Sequence, residues 1–337
     1  LLERKGQKTL LTTTSGFGDT QKIGYQDRPE LFKLQITKPE PLAQFTLELD
    51  ERTSAAGEVL KPLNRRKALA SFEKFLKLGA ESVAISFLNS WVNPDNEEAA
   101  GELACEAGFN EVYLSHRSSP LMGLIPRTDT AVVDAYLTPV IRNHLDKISE
   151  PLPDKSKVKV MTSAGGLTEG GRFYGRESLL SGPAGGMVAI SELTDQTSNR
   201  AIIGFDMGGT STDVSRFEDN FSYRFETRLD GIRLSQPMLD IDTVAAGGGS
   251  ICSLDGNRLR VGPESAGADP GPACYGNGGP LTLTDVNVYL GYVPRFPFPL
   301  DFTAVHNRME TLRDELYDVT GQRLSLHELA NGFRRIA

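Results

Sequence analysis

One stretch constrains this chain more than any other: Ala-Ile-Ile-Gly-Phe-Asp-Met-Gly-Gly-Thr-Ser-Thr-Asp-Val-Ser-Arg-Phe at residues 201–217. The apolar run 201–205 predicts a buried strand, with Asp206 at its mouth. Gly208 and Gly209 follow, where a backbone without Cβ turns tightly and lets a ligand come close. Thr210, Ser211 and Thr212 add hydroxyl donors, and Val214 and Phe217 predict a return strand. Amides and hydroxyls in such a turn cradle phosphate oxygens. Asp206 suits magnesium or a water, because that hard cation takes oxygen ligands. The plain alternative is a tight hairpin with a solvated aspartate, since short glycine motifs also arise by chance.

The flanking sequence predicts α/β layers. Residues 8–14 are apolar and β-branched, and Phe45, Leu47 and Leu49 alternate as in a half-buried strand. Asn64 can cap a helix ending near Gly79, and 83–88 reads as a buried strand. Pro94 opens a second helix that Gly108 closes, and 112–114 is the next strand. Helix and strand alternating at this spacing imply a largely parallel sheet. Residues 129–148 predict a long helix that Pro139 would kink. A strand at 157–162 ends in a glycine turn, a place where open α/β sheets hold ligands. Three glycines, Gly247, Gly248 and Gly249, precede Ser250 and suggest a second close approach of backbone to ligand. Residues 263–280 form a long Gly/Pro-rich loop, and Asp285 just after it reads as a helix cap. Residues 303–337 read as two polar helices.

Composition narrows the function. The 337 residues suffice for two domains, and the net charge of −8 argues against a nucleic-acid surface. Three cysteines far apart and four scattered histidines give no zinc spacing, and a reducing cytoplasm is the simplest reading. No signal peptide is evident, and no apolar run is long enough to span a bilayer.

The segment Phe-Asp-Met-Gly-Gly-Thr-Ser-Thr-Asp-Val-Ser at 205–215 resembles the second phosphate motif of the actin, sugar-kinase and chaperone ATPases. Four further segments narrow the likeness: Leu-Leu-Glu-Arg-Lys-Gly at 1–6, Ser-Gly-Pro-Ala-Gly-Gly at 181–186, Ala-Gly-Gly-Gly-Ser at 246–250 and Val-Gly-Pro-Glu-Ser-Ala-Gly-Ala-Asp-Pro-Gly-Pro-Ala-Cys-Tyr at 261–275. With them the chain resembles the hydantoinase A/5-oxoprolinase family over nearly its whole length. The resemblance implies an α/β fold with two lobes of the actin/sugar-kinase (RNase-H-like) kind, incomplete at both ends. Residues 1–197 would be most of the first lobe, with an N-terminal-type region to about 118 and then connecting helices. Residues 198–337 would begin the second lobe, and the segment at 181–186 would open the helix joining the lobes.

The resemblance also implies chemistry: 5-oxo-L-proline, ATP and water giving L-glutamate, ADP and phosphate, with magnesium and a monovalent cation. Asp206 would hold magnesium or orient the attacking oxygen, and Asp213 would support the hairpin or the metal's waters. Gly208, Gly209, Thr210, Ser211 and Thr212 would hold the phosphates, and Gly247 to Ser250 would line the cleft. Arg28 lies in a loop that faces the substrate cleft in the family, and its fork suits a substrate carboxylate. The implied partners are a small cyclic amide and a hydantoinase B-type second domain or subunit, with a homodimer left open. Two other readings stay open. One is an N-methylhydantoinase or the ATP-using subunit of a ketone carboxylase, relatives that often carry His where this chain has Asp242. The other is a non-catalytic, actin-like ATP-binding module.

Overall fold

The computed structural model describes residues 4–26, 32, 34–36, 38–153, 156–196, 201–229, 231–293 and 295–337. The chain divides into two compact units. The first comprises Leu1–Val188 and Phe221–Leu239, and the second Ala189–Asn220 and Asp240–Ala337. The boundary thus falls inside the helix Ser181–Gln196, and the segment 221–239 belongs with the first unit.

The first unit is built on a four-stranded parallel sheet. Thr9–Thr14 lies between Phe45–Leu49 and Ser82–Ser86, and Val112–Leu114 flanks the last of these. Alternate residues of the central strand feed two cores. Leu10 packs with Phe72, Val83, Ile85, Leu103 and Phe109 on one face. Leu11 packs with Ala84, Tyr113, Val132, Val133 and Tyr136 on the other. Helices Arg65–Lys77 and Asp95–Glu106 supply the first face, and helix Leu124–Ser149 the second. Covering both faces explains why every residue of Thr9–Thr14 is buried, as parallel sheets require. Asn64 caps its helix by accepting from the Lys67 amide at 3.0 Å, and Gly79 takes the positive φ that ends it. The 26-residue helix Leu124–Ser149 continues through Pro139.

Two elements of this unit differ from the sequence reading. The strand near 157–162 does not join the parallel sheet. It shortens to Lys159–Met161 and pairs antiparallel with Leu167–Glu169, so its glycine turn is a hairpin turn. The alternating segment at 221–225 pairs with Ile232–Leu239 as a long hairpin, and Leu234 enters the second core.

The second unit carries the hairpin Ala201–Met207 and Thr212–Glu218, extended by Ile241–Val244 into a three-stranded antiparallel sheet. A second hairpin, Ser250–Asp255 with Arg258–Ser265, packs with helices Leu283–Tyr289, Phe302–Thr320 and Leu326–Ile336. Their shared core includes Cys252, Cys274, Val286, Met309, Leu329 and Phe333.

Candidate functional site

The strand 201–207 is longer than its apolar run because Asp206 sits inside it, directly opposite Asp213 in the antiparallel register. Like charges directly opposite each other repel. Asp213 accepts a hydrogen bond from Thr243 Oγ1 at 2.6 Å, while Asp206 is exposed with no hydrogen bond or ion pair among the described residues. The strand expected to be buried is open on one face: Ile203 is 73% and Phe205 70% exposed. No described element covers that face, whereas Gly204 on the opposite face lies against Ile190.

The turn 208–211 is closed by the Gly208 amide donating to the Ser211 carbonyl at 2.9 Å. The amides of Gly209, Thr210 and Ser211, and the hydroxyls of Thr210 and Ser211, have no acceptor among the described residues. Thr212 differs: it is buried, and its hydroxyl donates to the Ala246 carbonyl at 2.5 Å. Its donor therefore ties two loops together and does not point at a ligand.

The triple glycine holds this turn from behind. Gly248 donates to the Gly208 carbonyl at 2.9 Å and Gly249 to the Gly209 carbonyl at 2.6 Å. A Cβ on Gly247 would meet the backbone of Gly209 and Thr210 at 2.7 Å, and one on Gly249 would meet the Gly209 carbonyl oxygen at 2.8 Å. Ser250 is buried, and its Oγ accepts from the Gly247 amide at 2.9 Å. Thr284, near the start of helix Leu283–Tyr289, donates its amide and hydroxyl to the Gly248 carbonyl at 2.7 and 2.8 Å. Helix end, triple glycine and phosphate-type turn thus form a stack in which the outermost layer alone keeps unused amides. Arg28 lies outside the described residues.

Sequence reasoning undervalued Asp285. It is fully buried and accepts from the amides of Ala273, Cys274 and Thr282 and from the Thr282 hydroxyl, at 2.7 to 3.0 Å. It is the third residue of a capping box, as expected of a cap, but it also pins both ends of the 273–282 segment. Burial of the Cys274 thiol, with the Asp285 carboxylate beside it, pushes its pKa well up. Asp129, in a first-unit cavity of about 470 Å³ with Gln21 and Lys22, was not singled out either; burial raises its pKa to about 6, against a hydrogen bond from Gln21.

Among the described residues no three His, Cys, Asp or Glu side chains converge as a metal cluster. Two facing carboxylates still fit magnesium, which keeps several waters and takes its remaining oxygens from phosphate. No residue set for a monovalent cation stands out.

The hydantoinase/oxoprolinase family model matches residues 127–337, and that family's N-terminal-region model matches residues 1–108. The chain belongs to the hydantoinase/oxoprolinase family. It is 41% identical to a 5-oxoprolinase of Saccharomyces cerevisiae, over 100% of this chain and 29% of that protein. It spans less than a third of the length of such relatives. Among solved structures it resembles nucleotide-free acetone carboxylase, with a TM-score of 0.82 at 26% identity over 99% of this chain and 50% of that one. It also resembles the ATP-dependent caprolactamase of Pseudomonas jessenii, with a TM-score of 0.76 at 28% identity over 100% of this chain and 52% of that one. The mixed α/β fold is therefore the fold of this family. No described helix is long and apolar enough to cross a membrane.

Proposed function

We propose that this chain is the nucleotide-binding part of an ATP-dependent hydrolase of cyclic amides, with 5-oxo-L-proline as substrate and L-glutamate, ADP and phosphate as products. One observation carries the reading: the amides of Gly209, Thr210 and Ser211 stand unused on a turn flanked by the facing carboxylates of Asp206 and Asp213. Successive unused amides make an anion nest, and phosphate is the anion such a turn takes. A five-membered lactam is poorly electrophilic. Transferring the γ-phosphoryl group to its amide oxygen gives a carbon that water can attack, and phosphate then leaves. Phosphoryl transfer depends on positioning and charge neutralisation more than on covalent help.

In this reading Gly209, Thr210 and Ser211 hold the β/γ-phosphates, and Asp206 and Asp213 hold magnesium and its waters. Magnesium would supply the charge neutralisation that the amides cannot. Thr212, Gly247, Gly248, Gly249 and Ser250 keep the turn in place from behind. The remaining length of the relatives leaves room for a hydantoinase B-type domain or subunit that completes the enzyme. We assign the two compact units to parts of the two lobes and the protein to the cytoplasm.

Phosphate release by the full-length protein, with and without 5-oxo-L-proline, tests the reading. Lactam-stimulated release with stoichiometric glutamate is expected; release that ignores the lactam sinks it. Residues 1–337 alone should show no lactam-dependent release. The acetone carboxylase likeness favours a second reading, ATP-dependent carboxylation of a ketone. That reading requires release stimulated by a ketone together with bicarbonate.

A further inference from the structure

The first unit contains a cavity of about 420 Å³ that the nucleotide chemistry does not use. Arg117, Ser119 and Arg176 line it on the polar side, and Leu121, Phe225 and Pro237 on the apolar side. Ser119 is 2% exposed, and its Oγ has no hydrogen-bond partner among the described residues. A buried hydroxyl left unpaired costs about as much as a lost hydrogen bond, so such atoms call for an explanation. Neighbouring hydroxyls are satisfied. Ser118 Oγ donates to Asp134 at 2.8 Å, and Ser163 Oγ donates to the Glu177 carbonyl at 2.7 Å.

Both guanidinium groups are fixed with donors to spare. Arg117 is held through Nε and Nη2 by Glu98, which leaves Nη1 unused. Arg176 pairs through Nη1 with the fully buried Asp134 and stacks 4.6 Å from the Tyr174 ring centre, which leaves Nε and Nη2 unused. The acids here are already engaged: Glu177 accepts from the Tyr174 amide at 2.9 Å, and Asp134 is held by Arg176 and Ser118. Two pre-positioned forks, a waiting hydroxyl and an apolar wall fit a compact molecule with one carboxylate on a small ring.

We propose that this cavity binds the carboxylate end of the cyclic-amide substrate, with Arg117, Arg176 and Ser119 as its donors. The proposal rests on the cyclic-amide reading for the identity of the ligand. The probes are 5-oxo-L-proline and 2-pyrrolidinone, which has the same lactam ring without the carboxylate. Both are titrated calorimetrically into the full-length protein and into its Arg117→Met and Ser119→Ala variants. Arg176 is left intact, because removing it would strand the buried Asp134 charge.

The wild type should bind 5-oxo-L-proline about a hundredfold more tightly than 2-pyrrolidinone, as a lost charge-assisted contact implies. Arg117→Met should weaken 5-oxo-L-proline about tenfold and Ser119→Ala about fivefold, both without a change in Tm. In turnover the variants should raise KM and keep kcat. Equal affinity for the two lactams, or variants with wild-type affinity and KM, overturn the subsite. If those variants retain ATP-dependent lactam hydrolysis at wild-type KM, the subsite is wrong and the proposed function stands. If 5-oxo-L-proline binds in an Arg117-dependent way but stimulates no phosphate release, the function is wrong and the carboxylate site stands.

Discussion

Gly209 and Gly247 lie in touching loops of one unit, yet a Cβ on Gly209 would meet no atom within 4 Å, while one on Gly247 would come within 2.7 Å of the Gly209 carbonyl. Neither has a positive φ, so the left-handed freedom of glycine explains neither position. Gly247 is glycine because another backbone occupies the space of its side chain. Gly209 is glycine although the protein leaves that space empty, which is what a ligand-facing position looks like. The same contrast separates two carboxylates. Asp285 is buried under four donors, and Asp206 is exposed with none. One member of each pair should affect stability and the other should affect binding or turnover.

The largest effect should come from Gly247→Val. The clash is with backbone, which cannot rotate away, and overpacking of this kind costs about 3 kcal/mol. Circular-dichroism melts should show a large loss of Tm or no folded second unit; a wild-type melt would erase the contrast. Asp206→Asn should leave the melt unchanged and lower turnover of the full-length enzyme about a hundredfold, the scale of losing one electrostatic stabiliser. Near wild-type turnover would remove Asp206 from the site. Asp285→Ala should cost about 2 kcal/mol by stranding buried amides, with nucleotide affinity retained in the molecules that remain folded. Gly209→Val should keep its Tm and weaken ATP about tenfold or more by filling the phosphate space. A lower Tm with unchanged ATP affinity would show that the two glycines play the same structural part.

The smallest expected effect serves as a control in the other unit. His116 is bound at Nδ1 by the fully buried Glu97 and at Nε2 by Glu98, both at 2.8 Å, with Arg117 beside Glu98. Burial works to lower its pKa, but the hydrogen bonds and charges of Glu97 and Glu98 prevail and raise it above 6.5. A folded pKa above the unfolded one adds stability that is complete below the unfolded value. That stability is lost as pH rises through the folded value. The Tm should therefore fall modestly as pH climbs above about 6.5, and His116→Asn should flatten that slope. A slope unchanged by the substitution would show that His116 does not carry it.

The legible parts of the chain were those whose cause is local. Asn64 before a 3.6-residue apolar period announced a capped helix, and the alternation at Phe45, Leu47 and Leu49 announced a strand. The 201–217 hairpin was legible for the same reason, from its diglycine between two strands. Burial of the 201–205 run was misread because apolar character shows what could be covered but not what covers it. Gly247 to Ser250 looked like a second ligand loop because a glycine facing a ligand and a glycine facing another backbone are written with the same letter. The commitment of Thr212 to Ala246, 34 residues away, depends on two loops meeting, which no local pattern records. The same holds for Ser119, whose interest lies in the partner it lacks.

Asp285 changes what the 263–280 segment is. By length and glycine content it is a loop, and loops ordinarily absorb insertions and substitutions. Here its two ends are tied through one carboxylate to the first turn of helix Leu283–Tyr289, and that helix end grips the triple glycine through Thr284. A residue added at 273–282 would not bulge harmlessly into solvent. It would shift the helix by part of a turn, and through Gly248 and Gly208 the shift would arrive at the amides of the 208–211 turn. Mechanically the segment is a tensioned strap, and its length is a dimension of the candidate phosphate site.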